Sequence, residues 1–409
     1  MTASKDPVQA QYETWVYPLP IQDLAAPGER TQRDLGDPQR NWITYWPAEP
    51  VRDDLDILIA GCGANAAARY AFHNRRARVT GIDLSAASVA HEQVLKDKHG
   101  LTNLTLHQGR LEDVASCGQT FDFIESSGVL HHLPDPAAGL RALGQVLRPN
   151  GTIAIMLYGV YPRLRFHMLR DLFQMLGVGQ TPADVAFVRR ALELVPEAQT
   201  GRDPAAASKD LSFDAGIVDT MLHPQDRAYT VQECLDLTRD AGLSFMGWWD
   251  NNLRYPEGHL DVASDLYGRM AALPEEEIWK AMELYLGLIG QHSFCVCHAS
   301  RPTPTYQVDF TTDAFLAFIP VRRSQEAIPP PQGTPPDCIA VQRGKQSAAY
   351  VLNAPAAALY RQVDGRKSIG ACLAGADTVL AGHDPKVVGR SVFTFLWRVG
   401  YIFVRLPPA

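Results

Sequence analysis

The segment Ala60-Gly61-Cys62-Gly63-Ala64-Asn65 constrains this chain most, because it joins a short apolar run to a helical stretch. Glycines at such a junction allow a tight turn and a close approach of a ligand to the backbone, and the N-terminus of the next helix favours negative charge. Asp83 follows Gly63 by 20 residues and ends the next apolar run. Its carboxylate is placed to accept hydrogen bonds from both hydroxyls of a ribose. These residues predict a nucleotide-binding sheet.

Apolar runs typical of strands alternate with helical stretches over much of the chain. The predicted strands lie at 55–60, 77–83, 104–107, 121–125, 151–158, 245–249 and 293–297. The first of them are almost entirely apolar, which is typical of a parallel sheet covered on both faces. We therefore predict an α/β fold with a Rossmann-like, doubly wound and mainly parallel sheet.

The remaining segments suggest a division of the chain into four parts. Residues 1–50, where aromatic residues alternate with prolines, are predicted to form an N-terminal arm or lid. Residues 51–300 form the sheet domain, with a helical insertion at about 160–225 that is longer than a strand connection requires. The proline-rich stretch 301–336 is predicted to be a linker, and 337–409 a small helical, winged-helix-like module.

Composition excludes several classes of function. The formal net charge of −7 argues against a nucleic-acid or anionic-membrane partner. No apolar run of 18 residues is present, so no membrane span is expected. The 7 cysteines are scattered, as in reduced proteins of the cytoplasm. We expect a cytoplasmic protein, and a homodimer remains an open alternative.

The glycine loop alone does not identify the cofactor. Gly61 to Ala66 also fits the pattern G-x-G-x-x-A of nicotinamide dinucleotide enzymes, which leaves an NAD(P)-dependent oxidoreductase as one alternative. A downstream segment distinguishes the two. There the strand Phe121–Glu125 is followed by Ser126-Ser127-Gly128-Val129-Leu130-His131-His132-Leu133, and later by Leu147-Arg148-Pro149-Asn150-Gly151.

With this segment the chain resembles the class I methyltransferases, which use S-adenosylmethionine, over about residues 55–158. Gln11-Tyr12-Glu13 and Tyr17-Pro18 resemble an arm found in bacterial members. The resemblance implies that Gly61 and Gly63 face the methionine half of the cofactor, Asp83 the ribose and Leu84 the adenine. It also implies that Ser126, Ser127 and Gly128 line the floor beneath the sulfonium. The other predicted cofactor-binding residues are Cys62, Asn65, Arg110 and Leu111.

One position departs from the family pattern. Members of the family often carry an acid near position 110 that accepts a hydrogen bond from the adenine amino group, whereas this chain has Arg110. A guanidinium cannot accept, so a neighbouring acid or a backbone carbonyl must replace it. The departure also keeps a third alternative open, a non-catalytic cofactor-binding scaffold.

Methyl transfer is a displacement on an activated carbon, so the protein chiefly aligns the reactants and excludes water. A base is needed only where the acceptor must lose a proton. The candidate catalytic residues are His131, His132 and Tyr158. The candidate substrate-binding residues are Tyr12, Tyr17, Tyr161, Arg163, His223, Asp226, Arg227 and Tyr229.

Two further motifs carry less specific signals. Cys295 and Cys297 share one face of a strand, but no second ligand pair has zinc spacing, so no metal is expected. Residues 351–365 are similar to small winged-helix modules that bind peptides. That similarity implies a peptide or protein acceptor held by the C-terminal module; dimerisation or stability is the alternative role.

Overall fold

The predicted strands form one seven-stranded sheet in the computed structural model of the chain. They are β1 (Asp56–Ala60), β2 (Arg78–Asp83), β3 (Leu104–Gln108), β4 (Phe121–Ser127), β5 (Leu147–Tyr158), β6 (Leu243–Trp248) and β7 (Gln291–His298). Their order is β3-β2-β1-β4-β5-β7-β6. Strands β1 to β5 pair in parallel and β7 runs antiparallel to β5. The prediction of a mainly parallel, doubly wound sheet is confirmed.

The structure describes residues 6–29, 36–195, 209–323, 326–328, 332–342 and 349–408. Part of the predicted helical insertion and the proline run at 329–331 lie outside these residues. In the described part of the chain, no helix has both the length and the apolar character that a membrane span requires.

Helices cover the sheet and form most of the connections. They are α1 (Pro7–Thr14), α2 (Trp42–Tyr45), α3 (Ala66–His73), α4 (Ala86–His99), α5 (Pro136–Gln145), α6 (Val160–Met175), α7 (Pro182–Glu193), α8 (Asp214–Met221), α9 (Val231–Asp240), α10 (Asp265–Ala271) and α11 (Glu275–Leu286). The C-terminal helices are α12 (Ala354–Gln362), α13 (Ile369–Ala374), α14 (Asp377–Leu380) and α15 (Pro385–Arg398).

Local sequence explains where several helices begin. The Asp6 carboxylate accepts a hydrogen bond from the Val8 N–H at the start of α1. Thr230 and Glu233 form a capping box at the start of α9, and Asn353 caps α12. Each side chain satisfies backbone donors that the first helical turn leaves without an intrahelical acceptor.

The two edges of the central strands differ in chemistry. At the amino edge, Arg148 forms ion pairs with both Asp56 and Asp122, and Arg78 pairs with Asp56. These guanidiniums hold the pKa of Asp56 below its usual value despite its burial. At the carboxyl edge, Gly61 directly follows β1, and β2 and β4 end in Asp83 and Ser127. Ligands of open parallel sheets bind at this edge.

The chain divides into two compact units. The first contains Met1–Asn41, Val51–Gly247 and Gly287–Arg301, and the second contains Trp42–Pro50, Trp248–Leu286 and Pro302–Ala409. The sequence placed 42–50 in the arm and 248–286 in the sheet domain, so the observed division differs from the expected one. Within the first unit, Phe166, Phe173, Val188 and Ile217 form a small apolar core of the helical insertion.

The second unit contains two small sheets. Strands β9 (Glu326–Ile328), β10 (Ile339–Gln342) and β11 (Ala349–Leu352) form one, and β8 (Ile319–Arg322) pairs with β12 (Ile402–Arg405) in the other.

The expected linker differs most from the structure. Part of 301–336 forms strand β8, and Phe310, Phe315 and Phe318 are buried in the apolar core of the second unit. The prolines dominated the sequence interpretation, whereas burial of these three rings decides the structure of the segment.

Candidate active site

Close packing explains why the loop after β1 contains glycines. Gly61 and Gly63 adopt left-handed backbone conformations, with φ of 80° and 53°. A Cβ atom on Gly61 would lie 2.3 Å from a methyl group of Val129. The N–H groups of Gly61 and Cys62 both donate to the Ile82 carbonyl, which fixes the loop on β2. Only glycine fits this turn.

Asp83 lies at the carboxyl end of β2 and joins the loop to the next helix. Its carboxylate accepts hydrogen bonds from the Gly63 N–H and the Ser85 N–H, both at 2.8 Å. Burial raises the pKa of Asp83, although these two hydrogen bonds oppose the shift. The carboxylate is therefore held rigidly beside the glycine loop.

A cavity of about 340 Å³ opens at this edge of the sheet. Its volume lies within the range of small-molecule sites, roughly 300–1,000 Å³. The predicted residues that line it are Gly61, Gly63, Asp83, Leu84, Arg110, Leu111, Ser127, Gly128, His132, Tyr158, Tyr12 and Tyr17. It is one continuous space from the glycine loop and Asp83 to the ends of β4 and β5.

The remaining predicted cofactor residues lie outside the lining. Cys62 and Ser126 are 2% and 0% exposed and pack behind the loop and the strand. The Asn65 side chain binds the arm: its oxygen accepts from the Ile21 N–H at 2.7 Å and its nitrogen donates to the Leu19 carbonyl at 2.9 Å. Asn65 thus holds the arm, which in turn places Tyr17 and Pro18 in the cavity wall.

Arg110 pairs with an acid of the arm. Its guanidinium lies 2.9 Å from the Asp6 carboxylate and 3.8 Å from that of Glu112. Glu112 lines the cavity two residues after Arg110. A carboxylate acceptor is therefore present beside the position where the family pattern has its acid.

The other end of the cavity is polar and aromatic. The Tyr12 hydroxyl donates to the Asp219 carboxylate at 2.8 Å. Tyr158 and His132 line the same end. Burial raises the pKa of Tyr158 to about 12, so its hydroxyl stays protonated at neutral pH.

The backbone of Gln225 fixes the tautomers of two histidines. Its N–H donates to Nδ1 of His223 at 3.0 Å, and its carbonyl lies 2.9 Å from Nδ1 of His132. A carbonyl can only accept, so neutral His132 carries its proton on Nδ1 and a lone pair on Nε2. Neutral His223 has the opposite tautomer, with its proton on Nε2. Burial lowers the pKa of His223 to about 2.

His131 and His132 therefore differ in role although they are adjacent. His131 is 1% exposed and packs against the Tyr158 ring, with centroids 4.7 Å apart. Burial lowers its pKa, so the ring is neutral. His132 faces the cavity, whereas His131 lies outside the lining.

A second polar cluster lies behind this end of the cavity. The Asp226 carboxylate is 3.0 Å from Arg170 and 3.6 Å from Arg163. The Arg163 guanidinium stacks 3.6 Å above the centre of the Tyr158 ring. His131, His223, Asp226 and Arg227 line a separate cavity of about 290 Å³. Among the predicted acceptor residues, Arg163 and Asp226 thus brace Tyr158 rather than line the main cavity.

The last predicted acceptor residues are also outside the main lining. Tyr161 is 38% exposed, and Arg227 forms an ion pair with Glu233 at 2.6 Å. Tyr229 is buried, and its N–H donates to the Tyr158 carbonyl at 2.8 Å.

Two groups of these side chains bring potential metal ligands together. One contains His131, His132 and Asp226 and the other His132, Asp219 and His223, with ligand atoms within 4.8 Å of one another. The hydrogen bonds from Gln225 already use Nδ1 of both His132 and His223. An ion at Nε2 of His223 would displace the single proton of the neutral ring and leave an imidazolate, which disfavours the second group.

The sequence missed three residues of the cavity that matter chemically: Asp219, Gln225 and Met156. Asp219 precedes the predicted residue His223 by four positions, but α8 ends at Met221, so helical spacing does not relate the two side chains. Gln225 acts through its backbone, and no sequence signal identifies that role.

Comparison with known proteins finds methyltransferases. A family model described as a methyltransferase domain matches residues 58–155. An uncharacterized protein of a Synechococcus strain is 28% identical over 77% of this chain and 76% of its own length. Ubiquinone biosynthesis O-methyltransferases of Neisseria meningitidis and Pseudomonas fluorescens are 25% and 30% identical over 28% and 29% of this chain. The matched region spans about half the length of these two enzymes.

Among solved structures, PKMT2 from Rickettsia typhi superposes with a TM-score of 0.60, over 90% of this chain and 75% of that protein. Its complex with AdoHcy gives a TM-score of 0.61. The sequence identities are 14% and 15%, so the likeness is one of fold.

Proposed function

We propose that this class I S-adenosylmethionine-dependent methyltransferase transfers the methyl group to a nitrogen or an oxygen of a bulky acceptor, either a peptide or protein side chain or a metabolite. One observation carries the proposal. A single cavity joins the glycine loop and Asp83 to the polar end formed by Tyr12, Tyr158 and His132. The cofactor and an acceptor atom can meet inside it.

The residues of the loop fit the cofactor. The bend at Gly61 and Gly63 leaves the backbone open to the amino-acid half of S-adenosylmethionine, and Asp83 offers carboxylate oxygens to the ribose hydroxyls. When bound, the cofactor supplies an activated methyl group on a sulfonium.

The polar end would position the acceptor. Arg163 stacks on the Tyr158 ring and holds it in place, so that its protonated hydroxyl can orient the acceptor. His132 presents an Nε2 lone pair and can accept a proton when the acceptor must lose one. His131 lacks access to the cavity, so between the two candidate bases we choose His132.

The apolar part of the wall supports a bulky acceptor. Val129, Leu133, Pro134 and Met156 line the same cavity as the polar groups. An acceptor with an apolar stem would bury this surface and exclude water, which displacement at a methyl carbon requires.

Calorimetric titration with S-adenosylmethionine, S-adenosylhomocysteine and NADH tests the proposal. We expect both sulfur compounds to bind and NADH not to bind. Tight binding of NADH alone would favour the oxidoreductase alternative.

Transfer itself is tested by incubating the protein with methyl-labelled cofactor and fractionated cell extract. Label in a macromolecular or small-molecule fraction identifies the acceptor. Binding of S-adenosylmethionine with no transfer to any fraction would favour the scaffold alternative.

A further inference from the structure

Asp219 is a buried carboxylate in the wall of the active-site cavity. It lies on α8 and its residue is 7% exposed. The neutral Tyr12 hydroxyl donates to it. The carboxylate lines the cavity at the end where His132 and Tyr158 also lie.

The charge of Asp219 is poorly compensated within the protein. Among the described residues, no lysine or arginine forms an ion pair with it. The nearby Arg163 pairs instead with Asp226, whose own negative charge faces Asp219. A buried carboxylate that lacks a cationic partner is costly. A cationic ligand in the cavity would remove that cost.

Three tyrosines surround the same space. Tyr12, Tyr17 and Tyr158 line the cavity, and burial, followed by the charge of Asp219, raises the pKa of each phenol. The phenols are therefore neutral. Neutral aromatic rings attract organic cations, and Arg163 already stacks on the Tyr158 ring in this way. The rings of Tyr12 and Tyr17 and the Asp219 carboxylate therefore favour the same kind of ligand.

We propose that the acceptor is a primary alkylammonium group, held by Asp219, the rings of Tyr12 and Tyr17 and the hydroxyl of Tyr158, with its alkyl stem along Leu133 and Met156. The inference rests on the proposed methyltransferase function and narrows its nitrogen-or-oxygen choice to nitrogen. It also assigns a role to a residue that the sequence did not single out.

The transfer step then follows. An N–H bond of the ammonium breaks and its proton moves to Nε2 of His132, whose Nδ1 proton stays bonded to the Gln225 carbonyl. The freed lone pair attacks the methyl carbon, the carbon–sulfur bond breaks and its electron pair goes to the sulfur. The products are a methylated ammonium group, which keeps one positive charge, and neutral S-adenosylhomocysteine. The imidazolium of His132 is stabilised by Asp219.

Binding is tested with three probes that differ at one group: N-acetyl-lysine methylamide, its 6-hydroxynorleucine analogue and its norleucine analogue. Each is titrated into the complex with S-adenosylhomocysteine. We expect the ammonium probe to bind at least tenfold more tightly than the other two. Equal binding of the hydroxyl probe, or absence of binding of the ammonium probe, would overturn the inference while leaving the proposed function intact.

Asp219→Asn and Asp214→Asn are the matched variants. In Asp219→Asn the amide keeps the shape of the carboxylate and can still accept from Tyr12, so we expect unchanged S-adenosylhomocysteine affinity and at least tenfold weaker ammonium binding. Asp214 lies on the same helix but is exposed and pairs with Arg189, so its variant should match the wild type. An Asp219→Asn protein that binds the ammonium probe normally contradicts the assignment.

Labelled transfer to the ammonium probe, with EDTA present, completes the test. We expect methylamine products that resist base hydrolysis and a rate that EDTA leaves unchanged. A rate that EDTA abolishes and Mg²⁺ or Zn²⁺ restores would assign Asp219 and the histidines to a metal and overturn the proposal. If S-adenosylhomocysteine fails to bind at all, the proposed function fails and this inference fails with it.

Discussion

The carboxylate of Asp83 has two backbone partners before any ligand enters the cavity. The Gly63 and Ser85 N–H groups each use one of its oxygens. Each carboxylate oxygen has a second lone pair, so the ribose hydroxyls can donate to the same group. Rigid placement by the loop means that little conformational entropy is lost when the sugar binds.

We expect Asp83→Ala to weaken S-adenosylhomocysteine binding by about 1–3 kcal/mol, the range for losing a hydrogen bond to a buried charged group. Calorimetry measures the change. Asp53→Ala removes a carboxylate that is partly exposed and pairs with Arg76, and should leave the affinity unchanged. Unchanged affinity in Asp83→Ala would place the ribose elsewhere.

Glu92 is a second buried carboxylate, with a structural task. Its two oxygens accept hydrogen bonds from the Ala67 and Ala68 N–H groups at the start of α3, at 2.9 and 2.8 Å. Burial raises its pKa from the usual 4.5 to about 8, against the effect of these bonds.

Glu92 should make the stability of the fold depend on pH. The folded protein binds a proton that the unfolded chain releases above about pH 4.5. The free energy of unfolding therefore falls as pH rises from about 5 to 8, by at most about 1.4 kcal/mol per pH unit. In Glu92→Gln this dependence should be shallower.

Urea denaturation between about pH 5.5 and pH 8 measures the slope. Asp97→Asn, an exposed acid on the same helix, is the control and should keep the wild-type slope. If Glu92→Gln and wild type fall equally with pH, the proton is bound elsewhere.

At the scale of elements, the arm belongs to the active site. Asn65 at the start of α3 holds Leu19 and Ile21, and the Ser85 hydroxyl donates to the Tyr12 carbonyl at the start of α4. Both anchors follow strands of the nucleotide-binding half of the sheet. The arm is thus positioned by the same loops that would hold the cofactor.

Asn65→Ala should release the arm without unfolding the sheet. Two partly buried hydrogen bonds are lost, each contributing about 1 kcal/mol. We expect faster protease cleavage within residues 15–24 and several-fold weaker S-adenosylhomocysteine binding, because Tyr17 and Pro18 leave the cavity wall.

Asn103→Ala is a suitable comparison. Asn103 also bonds backbone carbonyls, those of Ala71, Asn74 and Ala77, but none in the arm. That variant should lose stability while cleavage of the arm stays at the wild-type rate in the folded protein. Equal arm cleavage in Asn65→Ala and wild type would contradict the anchoring role.

At the scale of the whole molecule, every described residue that lines the main cavity belongs to the first unit. The second unit is built from three separate stretches of chain and has its own apolar core. Recruitment of a peptide by the C-terminal module stays a prediction. Formation of a homodimer also stays a prediction.

Deletion of residues 337–409 should therefore spare cofactor affinity and reduce turnover if the module recruits the acceptor. The deletion also removes Phe393 and Leu396 from the core that they share with Phe315. Burying such a side chain is worth roughly 1.5–3 kcal/mol, so the remaining part of the second unit should expose apolar surface.

Calorimetry, turnover and binding of the dye ANS test these expectations. We expect raised ANS fluorescence with retained S-adenosylhomocysteine affinity. Full turnover of the truncated protein would reject the recruiting role. The variant Phe315→Ala weakens the same core but keeps the C-terminal module. It therefore separates the effect of a weakened core from the effect of removing the module.

The sequence determined the features that depend on neighbours along the chain. The alternation of apolar runs predicted the sheet, and Gly61, Gly63 and Asp83 were identified because a turn, a helix start and a strand end have local signatures. Helix caps such as Thr230 and Asn353 depend on the same kind of local sequence. Here short-range sterics and backbone hydrogen bonding decide the outcome.

Only the tertiary structure decided which side chains share the cavity. The Tyr12 hydroxyl donates to Asp219, which is 207 positions away in the sequence. The Asn65 side chain, predicted to bind the cofactor, binds the arm instead. The tautomer of His132 depends on a backbone carbonyl 93 residues away. Phe310, Phe315 and Phe318 are buried in the apolar core, although the prolines of their segment predicted a linker. Such contacts arise from packing between distant segments, which no local pattern encodes.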